Sequence, residues 1–155
     1  MHLTWTKEEF EISTDVDRID LPALHGFLTN SYWAKGIPVE TVRRSIMNSL
    51  CFGMYHRGGQ VGFARVVSDL ATYAYLADVF VLEPYRGRGL SRWLMECIVA
   101  HPDLQGLRRW MLATRDAHGL YQKFGFTSLK SPERWMEVHQ PDIYMRKEPQ
   151  TVSQQ

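Results

Sequence analysis

Apolar residues recur along this chain with two different periods, and the switches between them lay out an order of elements. Residues 3–13 alternate weakly and predict one early strand. Asp17 or Asp20 is placed to cap a helix running to about Trp33, with Leu21, Leu24, Phe27 and Leu28 on one face. Gly36 breaks it, and Pro38 sits at the first turn of a second helix with Val39, Val42, Ile46 and Leu50 inward. The period then drops to two. Runs at 50–56 and 60–68, joined by Arg57-Gly58-Gly59, predict a hairpin. Asp69-Leu70-Ala71 turns into the longest strand candidate, 72–82. A helix ending near His101, a strand at 107–114, a short helix at 116–123 closed by Gly125, and two last strands at 126–129 and 143–146 complete the order. The expected fold class is α/β in the broad α+β sense: a mixed, mostly antiparallel, twisted central sheet flanked by helices. One domain over 1–147 is expected, with a polar tail at 148–155.

Between the longest strand and its following helix lies Pro84-Tyr85-Arg86-Gly87-Arg88-Gly89-Leu90-Ser91. Leu90, Trp93, Leu94, Cys97 and Ile98 recur at helical spacing after it. Two glycines let the backbone approach a ligand without Cβ atoms in the way. The unpaired N–H groups of a helix's first turn, with the helix dipole, favour an anion. Arg86, Arg88 and Arg92 add positive charge, so a pyrophosphate suits the spot. No Gly-Lys-Ser/Thr follows, which excludes a Walker loop, and the third glycine of a dinucleotide fingerprint is missing. Plain strand-to-helix punctuation is the alternative reading.

Composition changes little. A length of 155 residues, 45% apolar and 23% charged, is an ordinary globular chain that can bury a core without staples. A net charge of +1 gives no case for nucleic-acid or membrane partners. Cys51 and Cys97 fall among apolar neighbours and read as buried free thiols. His101, His118 and His139 are too scattered for a metal site, so no metal is expected. The first thirteen residues hold no apolar signal core, and a reduced, cytoplasmic setting is expected.

The order of elements and two motifs within it resemble the GNAT superfamily of acyl-CoA-dependent N-acetyltransferases. The first motif is Arg86-Gly87-Arg88-Gly89-Leu90-Ser91, similar to the family's Gln/Arg-x-x-Gly-x-Gly/Ala, with Ser91 in the final place. The second is Leu120-Tyr121-Gln122-Lys123-Phe124-Gly125-Phe126, close to Leu-Tyr-x-Lys-x-Gly-Phe. The resemblance covers roughly 50–129. It implies acetyl-CoA as the acyl donor and direct transfer to an amine in a ternary complex. Backbone groups of Val79, Phe80 and Val81 would pair with the pantetheine arm, and N–H groups from Arg86 through Ser91 would take the pyrophosphate. An N–H near Val81 would polarise the thioester carbonyl, and Tyr121 would protonate the leaving thiolate. Relatives often carry an asparagine where this chain has Thr114, Arg115 and Asp116.

The acceptor side is less determined. Tyr121 has aromatic packing as its alternative. Asp78, a lone acid in an apolar strand, is the first candidate for general base, with structural pairing to an arginine such as Arg65 as the alternative. Glu83 is second. Tyr32, Trp33, Trp135 and His139 are candidates to line the acceptor pocket, and a small amine is the expected substrate, a cationic one suiting the acids Asp78 and Glu137. A protein or peptide acceptor, a non-catalytic acyl-CoA sensor and a nucleotide-phosphate binder are the rivals. Many relatives dimerise, so a homodimer is admissible.

Overall fold

A computed structural model describes residues 1–146, and the tail expected at 148–155 lies outside the described residues. Six strands form one sheet in the order of the chain: β1 (Thr4–Lys7), β2 (Phe10–Ser13), β3 (Leu50–His56), β4 (Gly59–Ser68), β5 (Tyr73–Val81) and β6 (Arg109–Leu112). Neighbours are antiparallel through β5, and β6 joins β5 in parallel. The sheet lies between two helical layers, as the sequence predicts.

Alternation along the strands sorts side chains to the two faces. Phe52, Met54, Ala64 and Val66 join one core with Leu90, Leu94 and Ile98 of α3 (Leu90–Ala100). Cys51 and Phe63 join the other, with Leu24 and Leu28 of α1 (Leu21–Thr29) and Val42 and Ile46 of α2 (Val39–Met47). Asp20 caps α1 by accepting from the Ala23 N–H at 3.0 Å.

Several expectations at the ends of elements are corrected. The early run is a hairpin rather than one strand: Lys7 pairs with Phe10, and Glu8 takes a left-handed φ of 55° in the turn. No glycine marks that turn, which is why periodicity reads through it. Helix α1 stops at Thr29, not near Trp33, because the Asn30 and Ser31 N–H groups close the last turn on Phe27 and Leu28. Val39 is exposed rather than inward. The segments at 126–129 and 143–146 are not strands; the latter holds a 3-10 turn, Ile143–Met145. That turn packs on the α1–α2 loop, where a Cβ on Gly36 would lie 2.8 Å from Met145 Sδ and 3.0 Å from the Tyr144 carbonyl oxygen. Gly36 is required by close approach as well as by its φ of 82°.

Asp69 organises the turn into β5. Its carboxylate accepts from the Thr72 hydroxyl at 2.6 Å and from the N–H groups of Thr72, Ala71 and Tyr73 at 2.8, 3.0 and 3.1 Å. The Thr72 hydroxyl bond, then those backbone bonds, hold its pKa well below the ordinary carboxylate range. A depressed folded pKa contributes stability that is present above the unfolded value of about 3.9 and is lost as pH falls toward the folded one. Thermal unfolding of the wild type should therefore drop below about pH 4, and Asp69→Asn should be less stable at neutral pH with a shallower acid limb. Parallel acid limbs for the two proteins would show that Asp69 carries no such linkage.

Candidate active site

The site begins where two parallel strands part. Strand β5 pairs with β6 from Tyr73↔Arg109 to Leu76↔Leu112, where β6 ends. Strand β5 runs on to Val81, still paired on its other side with β4. The edge facing away from β4 is therefore open beyond Leu76. Across the Val61–Leu82 pair, the Leu82 N–H donates to the Val61 carbonyl at 2.8 Å. Because antiparallel bonding alternates by residue, Val79 and Val81 present their N–H and C=O groups to the open edge. The Val81 carbonyl is met there by Arg86, whose Nε–H donates to it at 2.8 Å.

A bulge sets this phase. Phe63 opposes Phe80 and Arg65 opposes Ala77, so Ala64 faces both Asp78 and Val79. Asp78 takes the left-handed φ of 56° that such a bulge needs at its first position, where glycine is usual. Aspartate tolerates that region better than most residues.

At the far end of β5 the anion loop has the expected shape. Gly87 and Gly89 have φ of 77° and 75°, and a Cβ on either would meet nothing within 4 Å. Gly89 is the N-cap of α3 and offers no side-chain cap, leaving the first N–H groups of the helix without intrahelical partners. Arg86 departs from the expectation, since its N–H closes a turn on the Glu83 carbonyl at 3.1 Å. The available donors thus run from Gly87 to Ser91. Leu90 contributes backbone only, its side chain being buried in the α3 core. The Arg88 guanidinium lies over the Tyr85 ring at 5.7 Å, and Arg92 is engaged with Glu96 at 3.4 Å on the helix surface.

The open strand and Leu120 and Tyr121 of the second motif line one cleft of about 1010 Å³, along with Trp33, Asp78 and the two ends of the anion loop, Arg86 and Ser91. Tyr121 stands on α4 (His118–Gln122) and is buried, its ring set edge-on to Phe126. Burial, with smaller effects from Tyr32 and Asp116, pushes its pKa up to about 12. Thr114 starts this helix by accepting from the Ala117 N–H at 3.0 Å.

Both readings of Asp78 draw on the same contacts. Its Oδ2 accepts from Arg65 Nε at 2.9 Å, so the structural pairing with Arg65 is present. Its Oδ1 accepts from the indole N–H of Trp33 at 2.8 Å. Arg65 also donates through a second nitrogen to Ser49 Oγ at 3.2 Å. Tyr32 and Trp33 lie edge to face at the cleft, and the Arg115 guanidinium stacks over Tyr32 at 3.9 Å. His139 lines the cleft as well, whereas Trp135 does not. Trp135 lies in a second cleft of about 820 Å³ outside β6, its ring under Arg109 at 4.4 Å, because the segment after Gly125 first runs along the outer side of β6 and reaches the first cleft only at His139 and beyond.

Sequence reasoning missed Thr41, Ser45, Tyr75 and Tyr144, which also line the cleft. Tyr75 shares a strand with the expected residues, but the bulge between them breaks the alternation that would have linked it to them. Tyr144 carries no local signal. Cys51 and Cys97 are buried free thiols, and burial raises each to about 12. No cluster of potential metal ligands occurs among the described residues.

The family model for the GNAT acetyltransferase domain matches residues 47–128, the stretch that carries the loop, the open strand and Tyr121. An acetyltransferase homologue from Gibberella zeae is 30% identical, over 77% of this chain and 79% of its own. A GNAT-family crystal structure from Xanthomonas campestris pv. campestris is 52% identical and superposes with a TM-score of 0.87, covering 88% of this chain and 97% of that one. An acetyltransferase from Clostridium acetobutylicum, crystallised with acetyl-CoA, shares the fold at 12% identity with a TM-score of 0.60, over 90% and 96% of the two chains. With its motifs in this geometry and these relatives, the chain belongs to the GNAT acetyltransferase family.

Proposed function

We propose that this protein transfers the acetyl group of acetyl-CoA to the primary amine of a small molecule, by direct attack within a ternary complex. The observation that carries the proposal is the meeting, along one cleft, of an open strand edge and a buried phenol, with the helix-start loop and its unpartnered N–H groups joining that cleft at Arg86 and Ser91. Those groups fit a long, bent ligand with an amide-bearing arm at one end and a pyrophosphate at the other.

Val79 and Val81 would hold the pantetheine arm as a neighbouring strand would, and the N–H groups from Gly87 to Ser91 would hold the pyrophosphate. Acetyl-CoA supplies an acyl thioester, a carbonyl activated toward a neutral amine. An N–H on the open edge near Val81 would draw charge onto that carbonyl oxygen. Formation of the N–C bond breaks the C–S bond, and the departing sulfur needs a proton. Tyr121 is suited to give it: a phenol raised to about 12 stays protonated through the physiological range. The acceptor amine must arrive with its proton lost. Asp78 is the carboxylate on the strand beside it, with both oxygens already accepting hydrogen bonds.

Tyr32 and Trp33 narrow the acceptor end, which favours a metabolite over a polypeptide. Cytoplasmic action fits a cosubstrate made and used there. No helix among the described residues is long and apolar enough to cross a membrane.

Thiol release from acetyl-CoA, measured with pooled amines, amino acids and peptides, tests this function. Release with the amine or amino-acid pool is expected. Release only with peptides would move the acceptor class, and binding of acetyl-CoA without release from any pool would favour a sensor. Gly89→Glu should abolish acetyl-CoA binding in calorimetry by blocking the loop and adding negative charge. Gly89→Ala should keep binding within about tenfold, since its Cβ meets nothing and only a left-handed strain of roughly 1–2 kcal/mol is added. Undiminished affinity in Gly89→Glu would remove the loop from the site. Tyr121→Phe should lower turnover about 10²-fold or more with acetyl-CoA affinity little changed. Wild-type turnover at saturating substrate would leave Tyr121 a packing residue.

A further inference from the structure

The bulge in β5 is costly and must be held by something. A non-glycine residue in the left-handed region is disfavoured relative to ordinary strand geometry, because its Cβ crowds the following carbonyl oxygen. Asp78 accepts that cost at a position that decides the phase of the strand after it. If Asp78 relaxed into regular pairing, the residues beyond it would slip by one and every side chain would change face. Phe80 would leave its stack on Phe27, whose ring centroid lies 3.6 Å away. The N–H groups at the open edge would come from Phe80 instead of Val79 and Val81. The cleft would keep its outline and lose its donors.

The carboxylate of Asp78 is fastened from two directions. Trp33, in the loop after α1, donates to Oδ1 at 2.8 Å, and Arg65, on β4, donates to Oδ2 at 2.9 Å. Arg65 is itself steadied by Ser49, just before β3, at 3.2 Å. The Asp78 and Arg65 side chains are 10% and 19% exposed, so the bond between them is largely shielded from water, whereas the Trp33 bond lies at the exposed rim of the cleft. We propose that Trp33 and Arg65 are positioning residues: through Asp78 they hold the left-handed bulge, and thereby aim the backbone donors of Val79 and Val81 into the cleft. This rests on the N-acetyltransferase reading for its effect on turnover, though not for its effect on the strand.

The arrangement has a second consequence. Trp33 belongs to the loop that narrows the acceptor end, so one hydrogen bond joins that loop to the strand facing the acyl donor. Displacing the loop releases the bulge. The tether therefore links acceptor seating to the alignment of the donors.

Trp33→Phe keeps an aromatic side chain and removes the N–H together with the five-membered ring. It should lower kcat about tenfold, leave acetyl-CoA affinity in calorimetry within about twofold, and speed amide hydrogen exchange at Phe80 and Leu82, whose N–H groups face β4. Asp78→Gly keeps a residue that accepts the left-handed region but removes the tether. Adding Trp33→Phe to it should speed that exchange no further, so the two effects on the strand should fail to add. Asp78→Asn separates tether from base. A tether predicts the same fractional loss at every pH, whereas a base predicts a loss that shrinks at high pH, where the amine deprotonates itself. Unchanged exchange at Phe80 and Leu82 in Trp33→Phe would overturn the proposal. So would additive effects on that exchange in the double variant, or recovery of Asp78→Asn at high pH. Should the wild type release no thiol with any acceptor, the function fails, and the exchange experiment still decides the tether.

Discussion

The parallel ladder between β5 and β6 lasts four residue pairs and then stops, and the rest of the cleft follows from that stop. A strand in mid-sheet has both edges satisfied and can offer its backbone to nothing. Here the last five residues of β5 keep one edge on β4 while the other has lost its partner, and unpaired backbone groups inside a protein need partners. A ligand that supplies the missing hydrogen bonds completes the sheet. The short length of β6 is therefore a functional dimension: pairing carried five residues further, to Val81, would close the edge that the acyl donor's arm needs.

The two ends of this opening are built by opposite means. At the loop, glycines relieve the chain of side chains, and backbone N–H groups do the recognition with help from the helix dipole. At the bulge, a charged side chain stands where glycine would be easier and is held by specific hydrogen bonds. The first device is permissive, the second directed. That difference explains why substitutions at Gly87 should be read through strain and access, whereas those at Asp78 must be read through its partners on other elements.

Legibility in the sequence divides along the same line. The loop, the helix after it, β3, β4 and the course of β5 are visible because each depends on local periodicity and on glycine at fixed offsets. The second motif likewise brings Tyr121 into the cleft. The bulge is not visible, because a register shift belongs to two strands at once; only an acid in an apolar run hints at it, and that hint fits a base or a tether equally. The β1–β2 turn is hidden because Glu8 takes a conformation usually signalled by glycine. At 126–146 the apolar residues suggest strands, yet no sheet edge receives them; Trp135 is left on the outer side of β6, while Tyr144 packs at the α1–α2 loop. Strand propensity is a preference for a neighbour, and the sequence does not say whether the neighbour is there.

Cys51 lies in the core on the α1–α2 face and Cys97 in the core under α3, and burial keeps both as thiols. Disulfide exchange requires an accessible thiolate, so the folded chain is chemically silent toward a disulfide reagent. Unfolding ends that silence on both faces of the sheet at once. The same reagent therefore has two meanings in a solution of this protein: a rapid reaction reports sulfur set free from a small molecule, and a slow one reports the opening of the core itself.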